Sequence, residues 1–272
     1  MTGRSEDLVR LLWPGEKPVV GVLHLLPLPG SPRWGGSMTA VRDRALREGE
    51  ILQAHKMDGI IVENFHDAPF FPRTVPPETV AAMAVVAQAV VAASDVPVGV
   101  NVLRNDAASA LAVAAASGAG FIRVNVHTGS MFTDQGLLSG RAHETLRLRR
   151  TLGVRVAILA DILVKHATPP PGVTLEAAGR DGWHRGLADG LILTGAETGA
   201  PTAVDDLVRL RAALPPEAPI WIGSGVTPTT AGTFLEMADG LIVGSALQDG
   251  GLAGGGICSE RVRTLVESLG RS

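Results

Sequence analysis

Eight short apolar runs recur along this chain, and each is followed by a segment with helical periodicity. The runs are Val19–Leu25, Gly59–Val62, Val96–Val102, Phe121–Val126, Val154–Ile162, Gly190–Leu193, Ile220–Ile222 and Gly240–Val243. Their hydrophobicity is continuous rather than alternating, which suits strands buried on both faces of a parallel sheet. The helical segments are Thr39–Lys56, Pro76–Ser94, Ala107–Ser117, His143–Leu152, Thr174–Gly179, Ala203–Ala213, Thr229–Glu236 and Ser259–Leu269. Thr202 with Asp205 resembles a capping box, Pro228 follows a candidate N-cap at Thr227, and Gly118 closes the third helix. The fifth helix has the least support, because the stretch from Pro169 to Trp183 is rich in Pro and Gly. Eight alternations within 272 residues predict an α/β chain folded as one (β/α)8 TIM barrel over residues 1–272. A doubly wound open sheet is the competing architecture. The Gly-x-Gly-x-x-Gly turn expected after its first strand is missing here.

Composition narrows the function. The chain carries 24 Lys+Arg against 27 Asp+Glu, a net charge of −3, and so lacks the basic excess of a nucleic-acid binder. With 46% hydrophobic residues and little net charge it is not a disordered chain. Its single cysteine, Cys258, excludes an internal disulfide and a cysteine-based zinc site, and fits a reducing, cytoplasmic compartment. The most apolar stretch, Thr79–Ala93, falls short of the roughly 20 residues that a membrane span needs. The first ten residues lack the apolar segment of a signal peptide.

In a barrel of this kind the chemistry gathers where the strands end. Read in chain order, the polar residues at those positions are His24, then Glu63 and Asn64, then Asn101 and Arg104, then Asn125 and His127. Asp161, Lys165 and His166 follow the fifth run, Thr194 and Glu197 the sixth, Ser224 the seventh and Ser245 the eighth. Two glycine-serine turns stand out. Gly223-Ser224-Gly225 ends the seventh run and Gly244-Ser245 the eighth, where backbone N–H groups can approach and hold a phosphate. Thr194-Gly195 would add a third wall.

Asp161, Lys165 and His166 form a compact acid–base cluster, with His24 and Glu63 as further candidates for catalysis. Lys165 is suited to form a Schiff base with a carbonyl substrate, to neutralise an oxyanion or phosphate, or simply to pair with Asp161 or Glu63. Asn64, Asn101, Asn125, His127, Thr194 and Glu197 are the candidate substrate-binding groups. His24, Glu63, Asp161 and His166 also include the donor types of a divalent-metal site, but no local metal motif supports one and the cofactor stays open. His55, His143 and His184 read as solvated or capping residues, and Cys258 as a small residue before an N-cap at Ser259. Trp34, Phe65, Phe70 and Phe71 lie in long loops suited to a lid or a subunit contact, so a homo-oligomer is expected. Thr128–Gly140 is a third long loop able to close over the mouth.

Five segments carry a family resemblance: GVLHLLPLPGSPRWGG (21–36), DGIIVENFHDAPFFP (58–72), FIRVNVHTGSMFTDQGLLSG (121–140), ADILVKHATP (160–169) and the paired GSGV and VGSA turns. Together they resemble the BtpA/SgcQ family over nearly the full chain. The resemblance implies a barrel related to those that bind ribulose phosphates. It also implies that His24, Glu63, Asn64, Asp67, Asn101, Asn125, His127, Asp134, Asp161, Lys165 and His166 lie in the family's motif segments. The family is named for photosystem I biogenesis, and other members are linked to sugar metabolism. One departure is visible. Gln248-Asp249-Gly250 stands where a lysine-containing segment is expected, and residues 250–256 are unusually rich in glycine. The expected function is an isomerase, epimerase, lyase or aldolase acting on a phosphorylated small molecule. The alternative is a non-enzymatic assembly or regulatory factor.

Overall fold

A computed structural model describes residues 7–15, 17–195 and 204–271. Glu197 and the start of the capping box at Thr202 lie outside the described residues. In chain order the elements begin with α1 (Leu8–Leu12), β1 (Val19–His24), α2 (Met38–Ala54), β2 (Gly59–Glu63), α3 (Pro77–Ala92), β3 (Val98–Asn101) and α4 (Ala107–Ser117). Next come β4 (Phe121–Val124), β5 (Ser130–Thr133), β6 (Gly136–Ser139), α5 (Ala142–Leu152), β7 (Ala157–Ile162) and α6 (Leu175–Arg180). The last are β8 (Gly190–Leu193), α7 (Val204–Ala213), β9 (Ile220–Ile222), α8 (Ala231–Met237), β10 (Gly240–Val243) and α9 (Ser259–Ser268). All strands but β5 and β6 close into one parallel barrel, ordered β1-β2-β3-β4-β7-β8-β9-β10 and back to β1. The predicted TIM barrel is therefore the observed fold.

Side chains alternate across each strand, so one parity faces the helices and the other the barrel axis. The outward parity is aliphatic throughout: Val19, Leu23, Ile60, Val62, Val100, Ile122, Ile158, Leu191, Ile222 and Leu241 join the core beneath the helices. The inward parity changes character along the axis. Val20, Val22, Ile61, Phe121, Ala157, Leu159, Ile192, Trp221 and Ile242 fill the lower barrel. Large rings sit against glycines there, since a Cβ on Gly99 would lie 2.2 Å from the Phe121 ring and one on Gly240 2.6 Å from Trp221. Trp13, just after α1, plugs the floor. Its ring centroid lies 5.2 Å from Phe121 and 5.1 Å from Trp221, and its indole N–H donates to the Asp58 carbonyl at 2.7 Å. At the upper ends the same parity becomes His24, Glu63, Asn101, Arg123 and Asp161, all buried. The strand register thus turns polar residues from separate elements toward one point.

A repeated aspartate pins the floor. Asp58, Asp189 and Asp239 each precede the glycine that opens a strand. They accept the backbone N–H of Val19, Ile158 and Ile220 at 2.7, 2.8 and 2.8 Å. Each also pairs with an arginine, Arg271, Arg149 or Arg211. Those arginines donate in turn to the carbonyls of Lys17, Val156 and Ala218.

Several expectations need correction. The loop 128–140 is a hairpin, β5 paired antiparallel with β6. Met131 and Leu138 pack on Val126 and Val164, which holds the hairpin to the loop after β7. Phe132 and Thr168 exchange two backbone hydrogen bonds across the same contact. Helix α8 starts at Ala231 after Thr230 rather than after Thr227. The hydroxyls of Thr227, Thr229 and Thr230 bond one another and hold a turn that delays the helix. The N-cap of α9 is Cys258, not Ser259, whose hydroxyl meets His55 at 2.7 Å. Gly118 closes α4 in the left-handed region, as expected.

Candidate active site

A cavity of about 260 Å³ opens at the upper end of the barrel. It lies just below the roughly 300–1,000 Å³ of drug-sized ligand sites, which suits a small metabolite. Its chemistry comes from the ends of most of the barrel strands. His24 ends β1 and Glu63 ends β2, and this register partnership puts His24 Nε2 3.5 Å from Glu63 Oε1. Asn101, the register partner of Glu63 on β3, donates to Glu63 Oε2 at 2.7 Å. Burial pushes the His24 imidazole down to about 4, only partly offset by Glu63 and Gln248. The Phe65 ring stacks on His24 at 4.1 Å, so an expected lid aromatic instead walls the site.

The centre of the mouth is cationic. Arg123 rises from β4 and binds Asp161 through two hydrogen bonds of 3.0 Å. Burial opposes its charge, but Asp161 outweighs that and raises the Arg123 pKa. Arg104 donates to the Lys165 carbonyl at 2.8 Å and carries a pKa lowered by burial. Lys165 also lines the cavity, and burial and then Arg123 lower its pKa. Among the described residues its ammonium makes no ion pair within 4.0 Å, so the expected pairing with Asp161 or Glu63 is not formed. A buried lysine beside Arg123 and Arg104, with no ion pair to a described carboxylate, is suited to meet a carbonyl or an anion.

The facing wall is backbone. Gly223, Ser224, Gly225 and Val226 after β9, and Gly244, Ser245 and Ala246 after β10, all line the cavity. Gly225 adopts φ +70°, which a glycine takes without strain. The N–H groups of Gly225, Val226, Ser245 and Ala246 donate to no described residue. Unpaired N–H groups on a tight turn form a concavity suited to an anion. The hairpin covers the mouth, with Asp134 and Gln135 at its turn and Phe70 beside them on the cavity wall.

Other candidates fall elsewhere. Asp161, expected as a general base, is not free to act as one. Arg123 and Asn125 occupy its oxygens, and its side chain has 0% exposure. Asn125 does line the cavity, and its Oδ1 is buried without a hydrogen-bond partner among the described residues, leaving an acceptor for a ligand. His166 reaches the cavity rim. Asn64 instead holds the Leu103 N–H at 2.7 Å and Asp67 at 3.1 Å, and Asp67 accepts the Leu28 N–H. His127 points away from the mouth, with Nε2 on the Gly186 carbonyl at 2.8 Å. Thr194 is buried beside Gly223 and off the cavity wall. Asn101 reaches the site only through Glu63. The four-residue metal set does not assemble, because Asp161 is committed to Arg123. Among the described residues no group of three His, Cys, Asp or Glu could hold a metal ion. None of their helices is long and apolar enough to cross a membrane.

Two important residues escaped the sequence reading. Arg123 sits inside an apolar run, and its signal was the parity it shares with Phe121 and Asn125. Gln248 appeared only as a departure. It is buried, and its amide meets His24 Nδ1 at 2.8 Å.

The fold and mouth place the molecule among TIM-barrel proteins. Its shape resembles N-(5'-phosphoribosyl)anthranilate isomerase from Pyrococcus furiosus, with a TM-score of 0.56, 13% identity, and coverage of 93% of this chain and 98% of that one. It also resembles thiamine phosphate pyrophosphorylase from Pyrococcus furiosus, with a TM-score of 0.56, 12% identity, and coverage of 94% and 96%. At such identities the likeness is one of fold. The chain belongs to the BtpA family, whose model matches residues 15–271. It is 50% identical over 252 residues to the photosystem I biogenesis protein BtpA of Synechocystis, covering 93% of this chain and 88% of that protein. An uncharacterized protein of Pyrococcus furiosus is 43% identical, with coverage of 92% and 94%.

Proposed function

We propose that the protein is an enzyme acting on a small phosphorylated metabolite, as an isomerase, epimerase or carbon–carbon lyase. One observation carries this reading. Gly225, Val226, Ser245 and Ala246, whose backbone N–H groups donate to no described residue, line the cavity that Glu63 and Lys165 also line. The phosphate would sit against residues 225–226 and 245–246. The reacting carbons would then lie toward the strand ends. Glu63 takes a proton from carbon beside a carbonyl, Lys165 stabilises the resulting oxyanion, and Asn125 Oδ1 accepts a substrate hydroxyl. Asp161 holds Arg123 in place and does not exchange protons.

The test is a screen of phosphorylated sugars against the purified protein, read by thermal shift and then by turnover. A ligand at 100 times its Kd stabilises by about 2.7 kcal/mol, a rise of about 5–10 °C. Glu63→Gln should keep the shift and lose turnover. The identity to a photosystem I biogenesis protein favours a second reading, a docking factor without turnover. On that reading no ligand shifts the melt, and the Glu63→Gln and Lys165→Met variants retain full function in the cell.

A further inference from the structure

The residues after β10 make an arrangement that the proposed reaction does not require. Gln248 is buried, and Gly254 approaches the same ring from across the glycine-rich loop. The Gly254 N–H points at His24 Nδ1 at 3.0 Å and is shared with Gln248 Oε1. The Gly255 N–H also donates to Gln248 Oε1, at 3.1 Å. Backbone N–H groups can only donate, so Gln248 Oε1 is the accepting end of its amide. Its NH₂ end then faces His24 Nδ1, at 2.8 Å. Two donors therefore converge on Nδ1, leaving no room for a proton there. The ring's hydrogen must sit on Nε2, the atom that faces Glu63 Oε1 at 3.5 Å.

We propose that Gln248 and the Gly254 N–H are positioning groups that lock His24 in its neutral Nε2–H tautomer, so that it serves the site as a fixed hydrogen-bond donor and Glu63 alone exchanges protons. The glycine-rich loop follows from this role. Gly254 has φ +91°, and a Cβ there would lie 2.6 Å from His66 Nε2, so another residue could not bring its N–H to the ring. His66 shows the opposite lock. Its Nδ1 faces the Leu25 carbonyl at 2.7 Å, which can only accept, so His66 carries its hydrogen on Nδ1. The charged and titratable groups facing His24 are Glu63, His66 and Lys165. Glu63 favours a second proton on the ring, whereas burial, His66 and Lys165 oppose it.

The experiment is long-range proton–nitrogen NMR on the full chain labelled with ¹⁵N-histidine, with the His24 signals assigned by their loss in His24→Gln. The wild type should show a neutral ring protonated at Nε2 at neutral pH and well into the acid range. Gln248→Glu keeps the acceptor for Gly254 and Gly255 but sets a carboxylate oxygen against Nδ1. The Nδ1 proton should then appear and the ring should titrate at higher pH. If Gln248 only ties down the loop, the tautomer will not change in this variant. That result, or an Nδ1–H or doubly protonated ring in the wild type at neutral pH, overturns the proposal. The tautomer is read without substrate. The inference rests on the proposed function only for the use made of it, so failure to find a ligand and failure of the lock are separate outcomes.

Discussion

Asp161 and Lys165 lie four positions apart in the sequence but do different work. Asp161 neutralises Arg123 beneath the cavity, while Lys165 stands in it without a carboxylate partner among the described residues. Removing one member of a buried pair leaves an uncompensated charge, at a cost of about 3–5 kcal/mol. Asp161→Asn should therefore lower Tm by roughly 10 °C in a melting experiment. A true catalytic base replaced in this way would lose turnover with little change in Tm. The sequence marked both residues as polar at a strand end. It did not show that the acid was already claimed, because the claimant, Arg123, lay hidden in an apolar run. Residue type and position in a barrel indicate which side chains can reach the mouth. They do not indicate which are already paired there.

The elements show a similar division. Gly190–Leu193, Ile220–Ile222 and Gly240–Val243 matched their strands, because doubly buried parallel strands are continuous apolar runs bounded by glycine or proline. The β5–β6 hairpin was missed, since its strands are short, its outer face is exposed and its turn lacks an Asn-Gly signature. The repeated Asp-Gly at residues 58, 189 and 239 was also legible only in retrospect. It looks like turn chemistry until each carboxylate is seen to hold an N–H of the preceding barrel strand. The hairpin places Asp134 at the mouth, where its charge acts on Arg104. Removing that charge should favour an incoming anion. Asp134→Asn should tighten binding of a phosphorylated ligand severalfold at low salt, and the gain should shrink as ionic strength rises. Weaker binding in the variant would mean that the hairpin grips the ligand instead of repelling it.

For the whole molecule, the buried imidazoles set an acid limit to stability. His24 has a pKa of about 4 in the folded chain against an ordinary 6.5, and burial lowers His127 as well. The unfolded chain takes up protons as pH falls below 6.5, while folded His24 stays neutral until about 4. Stability present above that range is therefore lost through it, by about 3 kcal/mol for His24 alone. Urea unfolding across this window should show a steep loss in the wild type and a shallower one in His24→Gln. Equal slopes would place the charged ring in solvent. The fold itself was readable because its apolar periodicity spans the chain. The candidate site was readable only in outline: its glycine-serine turns stood out, but the partners that claim Asp161 and His24, Arg123 and Gln248, did not.

The proposed phosphate wall after β9 and β10 can be tested directly. Isothermal titration calorimetry should compare a phosphorylated ligand from the screen with its dephosphorylated parent, on the wild type and on Ser245→Asp. Only the phosphorylated compound should bind, in roughly the micromolar range. The variant should lose at least a hundredfold in affinity while melting near the wild-type temperature. Equal binding of both compounds, or undiminished affinity in the variant, would show that no phosphate sits between residues 225–226 and 245–246.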